Sequence, residues 1–180
     1  MNLIGILTAV AAITPVTAAG QAWAAPAAPE RSADLRTPAA IHEEHVEIHA
    51  ALERATHEPG QLGAAARALA AVLDPHFRRE EAIATPPLGL LAPLARGPVT
   101  PQMRAVLPMT DALEREMPRM LEEHRRIGVA RQRFETAARR ARKAEYVRLA
   151  ETLAHHARQE EEVLYPAAIL VGRFVKGAER

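Results

Sequence analysis

Apolar residues recur along this chain at the spacing of helices with one buried face. Ile41, His45, Ile48, Leu52 and Ala55 follow one another every three or four positions, the period of a single helix stripe. Thr37-Pro38 precedes them as a capping hydroxyl with proline at the first helical position, and Pro59-Gly60 ends the run. A second helix is predicted from Gln61 to Ala84, with Leu62, Ala66, Leu69, Leu73 and Phe77 on its inner side. Pro75 falls inside it and should kink it just before His76. Residues 86–109 hold six prolines and read as a long connection, with one short helical turn around Gln102 to Leu107. A third helix is predicted from Thr110-Asp111 to Arg139, with a kink at Pro118. A fourth runs from Arg142 to Tyr165, and Pro166 to Phe174 continue it at an angle.

Two stretches of this pattern superpose. His76-Phe77-Arg78-Arg79-Glu80-Glu81 with Pro86, and His156-Ala157-Arg158-Gln159-Glu160-Glu161 with Pro166, both read H-x-x-x-E-E-x-x-x-x-P, 80 residues apart. Upstream of each, Glu43-Glu44-His45 with Ile48 and Glu122-Glu123-His124 with Ile127 share E-E-H-x-x-I at an offset of 79. The expected fold is therefore all-α, an up-down four-helix bundle with an internal two-fold helix-pair repeat, over residues 37–175.

Composition narrows the chemistry. The chain has 180 residues, enough for one domain with a real core, and a formal net charge of +1. No strong field points to nucleic acid, and an aromatic share of 3 % is poor for base stacking. The basic cluster of Arg131, Arg133, Arg139, Arg140, Arg142 and Lys143 reads as a solvated helix face. There is no glycine-rich phosphate loop. The absence of cysteine excludes thiolate zinc sites, iron–sulfur clusters, disulfides and thiol nucleophiles. Leu3 to Val16 is apolar and uncharged, the length of a signal-peptide core and short for a membrane span, and Ala22-Trp23-Ala24 supplies an A-x-A site. Residues 1–24 are thus expected to be a signal peptide and residues 25–36 an Ala/Pro-rich leader. The mature protein would be periplasmic or secreted and not in a membrane. Only the Met1 amine precedes the apolar run as a positive charge; an uncleaved anchor or a different start codon, with a cytoplasmic protein, is the alternative.

The repeated motifs carry the candidate chemistry. Positions i and i+4 lie one above the other on a helix, so His76/Glu80 and His156/Glu160 each aim an imidazole and a carboxylate the same way. Imidazole suits Fe, Zn, Mn and Cu, and carboxylates bridge hard cations. With His45 and His124 these make six candidate metal ligands; His49, four residues after His45, would be a seventh. A lone H-x-x-x-E has a high false-positive rate, and an E-E pair usually faces solvent. The joint occurrence of two copies of both motifs favours a metal, because burying these groups without partners would be costly. Glu81 and Glu161 point ~100° away from the neighbouring acids and read as packing or supporting groups. His155 offers an alternative register to His156, which the repeat alignment disfavours. His42 reads as supporting or solvent-exposed, and His57 as a helix-terminal cation. Tyr146 and Tyr165, the only tyrosines, have no evident place at the metals.

His45, His76-x-x-x-Glu80, His124 and His156-x-x-x-Glu160, in this order on four helices, resemble the hemerythrin-like (HHE cation-binding) domain. The resemblance spans roughly residues 38–170. It implies an up-down bundle around a non-haem di-iron centre with bridging carboxylates, and roles in O2 binding, sensing, or iron, peroxide or nitric oxide handling. Two irons are accordingly expected per chain, bridged by Glu80 and Glu160 with terminal histidines. The chain departs from the oxygen carriers. Their third-helix H-x-x-x-H pair is reduced here to His124 and Gly128, with His45-x-x-x-His49 on the first helix instead. Their fourth-helix acid stands five residues after its histidine, against four for Glu160. Simple O2 transport is thereby in doubt. The expected function is a di-iron protein that meets O2 or a related small molecule; the alternatives are a redox enzyme acting on peroxide or nitric oxide, and an iron-sequestering bundle.

Overall fold

The computed structural model describes residues 35–178. The expected signal peptide, and the leader up to residue 34, lie outside the described residues. Six α-helices account for most of what is described: α1 (Ala39–Thr56), α2 (Gly60–Ile83), α3 (Leu91–Arg96), α4 (Leu107–Arg140), α5 (Ala144–Gln159) and α6 (Tyr165–Gly177). Two 3-10 segments, Pro86–Leu90 and Pro101–Val106, flank α3, and a π-turn, Glu160–Leu164, joins α5 to α6. There is no β-strand among the described residues. α1 packs on α2 and α5, and α4 packs on α2, α5 and α6, so four long helices enclose one core.

Several local expectations are revised. Thr37 does not cap α1. Pro38 is the N-cap residue, without a side-chain cap, and the Thr37 hydroxyl bonds that of Thr85, 2.7 Å away. The 86–109 connection is more ordered than one helical turn. Leu88, Leu90, Met103 and Val106 are buried there and close one end of the bundle. Pro108 does not delay the third helix but lies in its first turn, where its missing N–H would have no partner in any case. Pro75 and Pro118 both lie within continuous helices.

The tight turns have physical causes. Gly60 has φ +68°, a conformation that glycine adopts without penalty. A Cβ on Gly63 would sit 1.9 Å from the Glu58 carbonyl oxygen. Glu58 also accepts hydrogen bonds from Lys143 Nζ at 2.9 Å and Tyr146 Oη at 3.2 Å. It thereby ties the α1–α2 turn to the α4–α5 turn. Arg142, at φ +57°, makes that second turn and delays α5 to Ala144.

The core is layered. One apolar cluster holds Ile48, Leu52, Leu69, Leu73, Phe77, Ile127, Phe134, Leu149 and Leu153. Another holds Ile83, Leu88, Leu113, Met120, Tyr165 and Ala168. Between them lies a polar layer in which His45, His76, Glu80, His124, His156 and Glu160 are each at most 7 % exposed. His45 stacks on Phe77 of the first cluster, with centroids 4.3 Å apart, and His124 stacks on Tyr165 of the second.

Candidate metal centre

The six side chains come from four elements. α1 supplies His45, α2 supplies His76 and Glu80, α4 supplies His124, and the α5/π-turn junction supplies His156 and Glu160. They form two groups of potential ligand atoms: His45, His156, Glu80 and Glu160 in group A; His76, His124, Glu80 and Glu160 in group B. Within a group these atoms all lie within 4.8 Å of one another.

Each glutamate divides its oxygens between the groups. Glu80 Oε2 is 4.0 Å from His45 Nε2, whereas Glu80 Oε1 is 3.4 Å from His76 Nε2. Glu160 Oε1 lies 2.9 Å from His156 Nε2 and 3.8 Å from His45 Nε2. Its other oxygen, Oε2, is 3.3 Å from His124 Nε2. Both carboxylates thus stand between two histidine pairs, the placement from which a carboxylate bridges two cations.

The other ring nitrogens face a second ring of acids, each on a neighbouring element. His76 Nδ1 is 3.1 Å from Glu123 Oε2, and His124 Nδ1 is 2.7 Å from Glu161 Oε1. His45 Nδ1 lies 3.6 Å from Glu81 Oε1, and His156 Nδ1 lies 3.4 Å from Glu44 Oε1. An ionised carboxylate only accepts, so the Nδ1 atoms of His76 and His124 donate to their acids, while those of His45 and His156 face theirs without a hydrogen bond; all four Nε2 atoms point inward. This is the usual way in which metal-ligating histidines are oriented. The pairings run α1 to α2, α2 to α4, α4 to the π-turn and α5 to α1, closing a ring around the bundle. Glu81 and Glu161 were expected as supporting groups. Glu44 and Glu123 were visible in the E-E-H motif, but their targets are on other helices, beyond the reach of a single-helix pattern.

Tyr165 is the principal residue that the sequence reading missed. It is 1 % exposed, its hydroxyl donates to Glu80 Oε1, and Oη is 3.2 Å from His124 Nε2. On a regular α-helix, Glu160 and Tyr165, five residues apart, would diverge by ~140°. In the π-turn the Tyr165 N–H bonds the Glu160 carbonyl, and the wider turn brings position i+5 above position i. Pro166 explains the turn: its ring clashes with the carbonyl four residues back and it has no N–H. The same i+5 bond, Thr85 N–H to the Glu80 carbonyl at 3.0 Å, precedes Pro86. That pairing of an acid with a proline six residues later was the available signal.

The remaining histidines lie elsewhere. His49 is not in either group; its side chain is 44 % exposed, with Nδ1 3.5 Å from Asp74 Oδ1. His42 and His155 are exposed, and His57 pairs with Glu53 at 3.0 Å. The register that uses His156 rather than His155 is the one that faces inward.

Electrostatics reflect crowding. Burial disfavours an imidazolium at His76, but the Glu80 carboxylate, with Glu123 and Glu160, raises it to about 9. His124 and His156 are raised in the same way, chiefly by Glu160 working against burial. Burial and the Glu160 charge push Glu80 up. Burial works against the Glu160 carboxylate too, but the rings of His124, His156 and His45 around it hold it well below the usual range. Burial, then the charges of Glu80 and Glu160, raises the Tyr165 phenol.

A cation fits these residues. His45 Nε2, His156 Nε2, Glu80 Oε2 and Glu160 Oε1 of group A and His76 Nε2 of group B are buried without a hydrogen-bond partner, as are the outward Nδ1 atoms of His45 and His156. Such unpartnered polar atoms are costly in a protein interior, and a cation in group A would satisfy the four inward ones there. Imidazole nitrogen and carboxylate oxygen together suit divalent and trivalent first-row metals.

No curated protein and no solved structure matches the chain significantly. A family model, that of the hemerythrin HHE cation binding domain, matches residues 37–168. The match covers most of the sequence and all six converging histidines and glutamates, and the chain belongs to the hemerythrin HHE cation-binding domain family.

Proposed function

We propose that the protein is a non-haem di-iron protein whose buried centre binds O2 or a related small molecule. The observation that carries this reading is the split of both buried carboxylates between two histidine pairs. One ion would be held by His45, His156, Glu80 Oε2 and Glu160 Oε1, the other by His76, His124, Glu80 Oε1 and Glu160 Oε2. The two irons would supply reversible electron transfer to the small molecule. The protein's part is to hold the donors and exclude water. Glu123 and Glu161 accept from Nδ1 of His76 and His124, and the apolar clusters on either side limit bulk solvent. We also read the fold as an up-down bundle built from two related helix pairs. The matched offsets and the paired i+5 bonds at Thr85 and Tyr165 support this.

A redox enzyme acting on peroxide or nitric oxide is a second reading, favoured by one observation. Tyr165 places a phenolic O–H inside the centre, where a reaction that consumes protons would need a donor. Export remains part of the proposal on the strength of the N-terminal segment; among the described residues no helix is long and apolar enough to cross a membrane.

The test is metal analysis of purified protein, followed by an optical spectrum of the iron-loaded, reduced form before and after air. Two irons per chain with a reversible change support O2 binding. Irreversible turnover of peroxide or nitric oxide supports the enzyme. Protein that takes up no iron from either oxidation state would overturn both.

A further inference from the structure

We propose that Tyr165 is itself a metal ligand, a phenolate donor to the ion of group B, so that the two ion positions are chemically unequal. The inference rests on the two-ion reading above and adds a residue to it. Tyr165 Oη lies against two atoms of group B, Glu80 Oε1 and His124 Nε2, the latter at 3.2 Å. Glu161 Oε1, 2.7 Å from His124 Nδ1, orients the ring so that Nε2 faces Oη. Glu160 Oε2 is 3.3 Å from His124 Nε2, and His76 Nε2 lies 3.4 Å from Glu80 Oε1. Oη is thus one of five potential donor atoms that converge on this point.

Among the described residues, group A has no equivalent. The residue 80 positions before Tyr165 is Thr85. Its short side chain turns away, to the Thr37 hydroxyl at 2.7 Å and the Glu80 carbonyl at 3.5 Å. On the A side His45 instead stacks on Phe77, which offers no donor atom. The B ion would have five protein donors and the A ion four. The more open position, where an exogenous ligand binds, is then at A. On ligation the phenolic O–H bond breaks, an oxygen–metal bond forms, and the proton leaves to solvent. A cation beside the oxygen reverses the balance that otherwise keeps the buried phenol protonated.

Ferric phenolates absorb visible light through ligand-to-metal charge transfer, and excitation in that band enhances the phenolate ring vibrations. The chain has two tyrosines, and Tyr146 hydrogen-bonds Glu58 in a turn rather than either group. The experiment loads wild type, Tyr165→Phe and Tyr146→Phe with ferric iron, counts bound iron, and records optical and resonance Raman spectra. The expected result is a phenolate band with ring modes in wild type and Tyr146→Phe, absent from Tyr165→Phe. Competition with a chelator should show one of the two ions of Tyr165→Phe held about tenfold or more weakly, the other unchanged. Circular dichroism checks that Tyr165→Phe is folded; should it not be, ring-deuterated tyrosine in Tyr146→Phe assigns the modes to Tyr165 directly. Two bound ferric ions without a phenolate band in wild type, or a band that survives in Tyr165→Phe, would overturn this proposal and leave the di-iron reading standing. Protein that binds no iron would overturn both.

Discussion

At the residue scale, the polar layer separates candidate ligands from their supports by geometry. Glu80 and Glu160 stand between both histidine pairs, so on the di-iron proposal removing either should disturb both ion positions. Glu80→Ala and Glu160→Ala are expected to lose most bound iron. His49→Ala, half-exposed beside Asp74, should keep both ions. Metal analysis of the three purified variants decides this, and two irons retained in Glu80→Ala would remove it from the bridging role. The outer acids make a finer test. Glu161 holds His124 in one tautomer at 2.7 Å, so Glu161→Gln, which preserves the shape but weakens acceptance, should lower metal affinity roughly 10–100-fold. Chelator competition measures it, and unchanged affinity would show that the hydrogen bond does not tune the site.

At the element scale, α6 is pressed against α4. A Cβ on Gly172 would lie 2.1 Å from Thr110 Oγ1 and 2.5 Å from Thr110 Cβ, so the helices approach as closely as they do because position 172 has no side chain. Gly172→Ala should destabilise the protein by roughly 1–3 kcal/mol through overpacking. Because α6 follows the π-turn, the displacement should also reach Tyr165. Gly128 is the control: it lies inside α4 with nothing within 4 Å of a built Cβ, and Gly128→Ala should stabilise the helix by about 0.5–1 kcal/mol. Thermal or denaturant unfolding of both variants gives the signs; a neutral Gly172→Ala would mean that α6 can shift without cost.

At the scale of the whole molecule, metal binding and pH are linked. Without a cation, His76 is raised to about 9 and so carries a proton at neutral pH, whereas a metal ligand must be the neutral imidazole. Metal uptake at pH 7 should therefore release about one proton from His76. Apparent affinity should rise about tenfold per pH unit up to pH 9 on this account and gain nothing further from His76 beyond it. Calorimetry in buffers of different ionisation enthalpy counts the protons. The metal-free protein should show the opposite trend in stability. A folded pKa above the unfolded value contributes stability that is fully present below pH 6.5 and lost as pH rises through about 9. Melting temperature of the metal-free form should fall over that window, and a rise there would show that His76 is not protonated in the fold.

The local sequence determined which faces turn inward. Helical spacing put His76 over Glu80 and His156 over Glu160, and the repeated motifs singled out His45 and His124, because the period of a helix is a property of the backbone alone. Residues separated along the chain by other helices were beyond that reasoning. Glu44 and Glu123 meet histidines on neighbouring helices only once the bundle has assembled. His49 shares a helix with His45, yet the packing of α2 against α1 leaves it at the surface beside Asp74. Tyr165 needed both levels: proline changes the helical phase locally, lengthening the backbone bond from i+4 to i+5, and only the packing of α6 on α4 sets the hydroxyl between Glu80 and His124. Periodicity assigns a residue to a face; tertiary contact decides what that face meets.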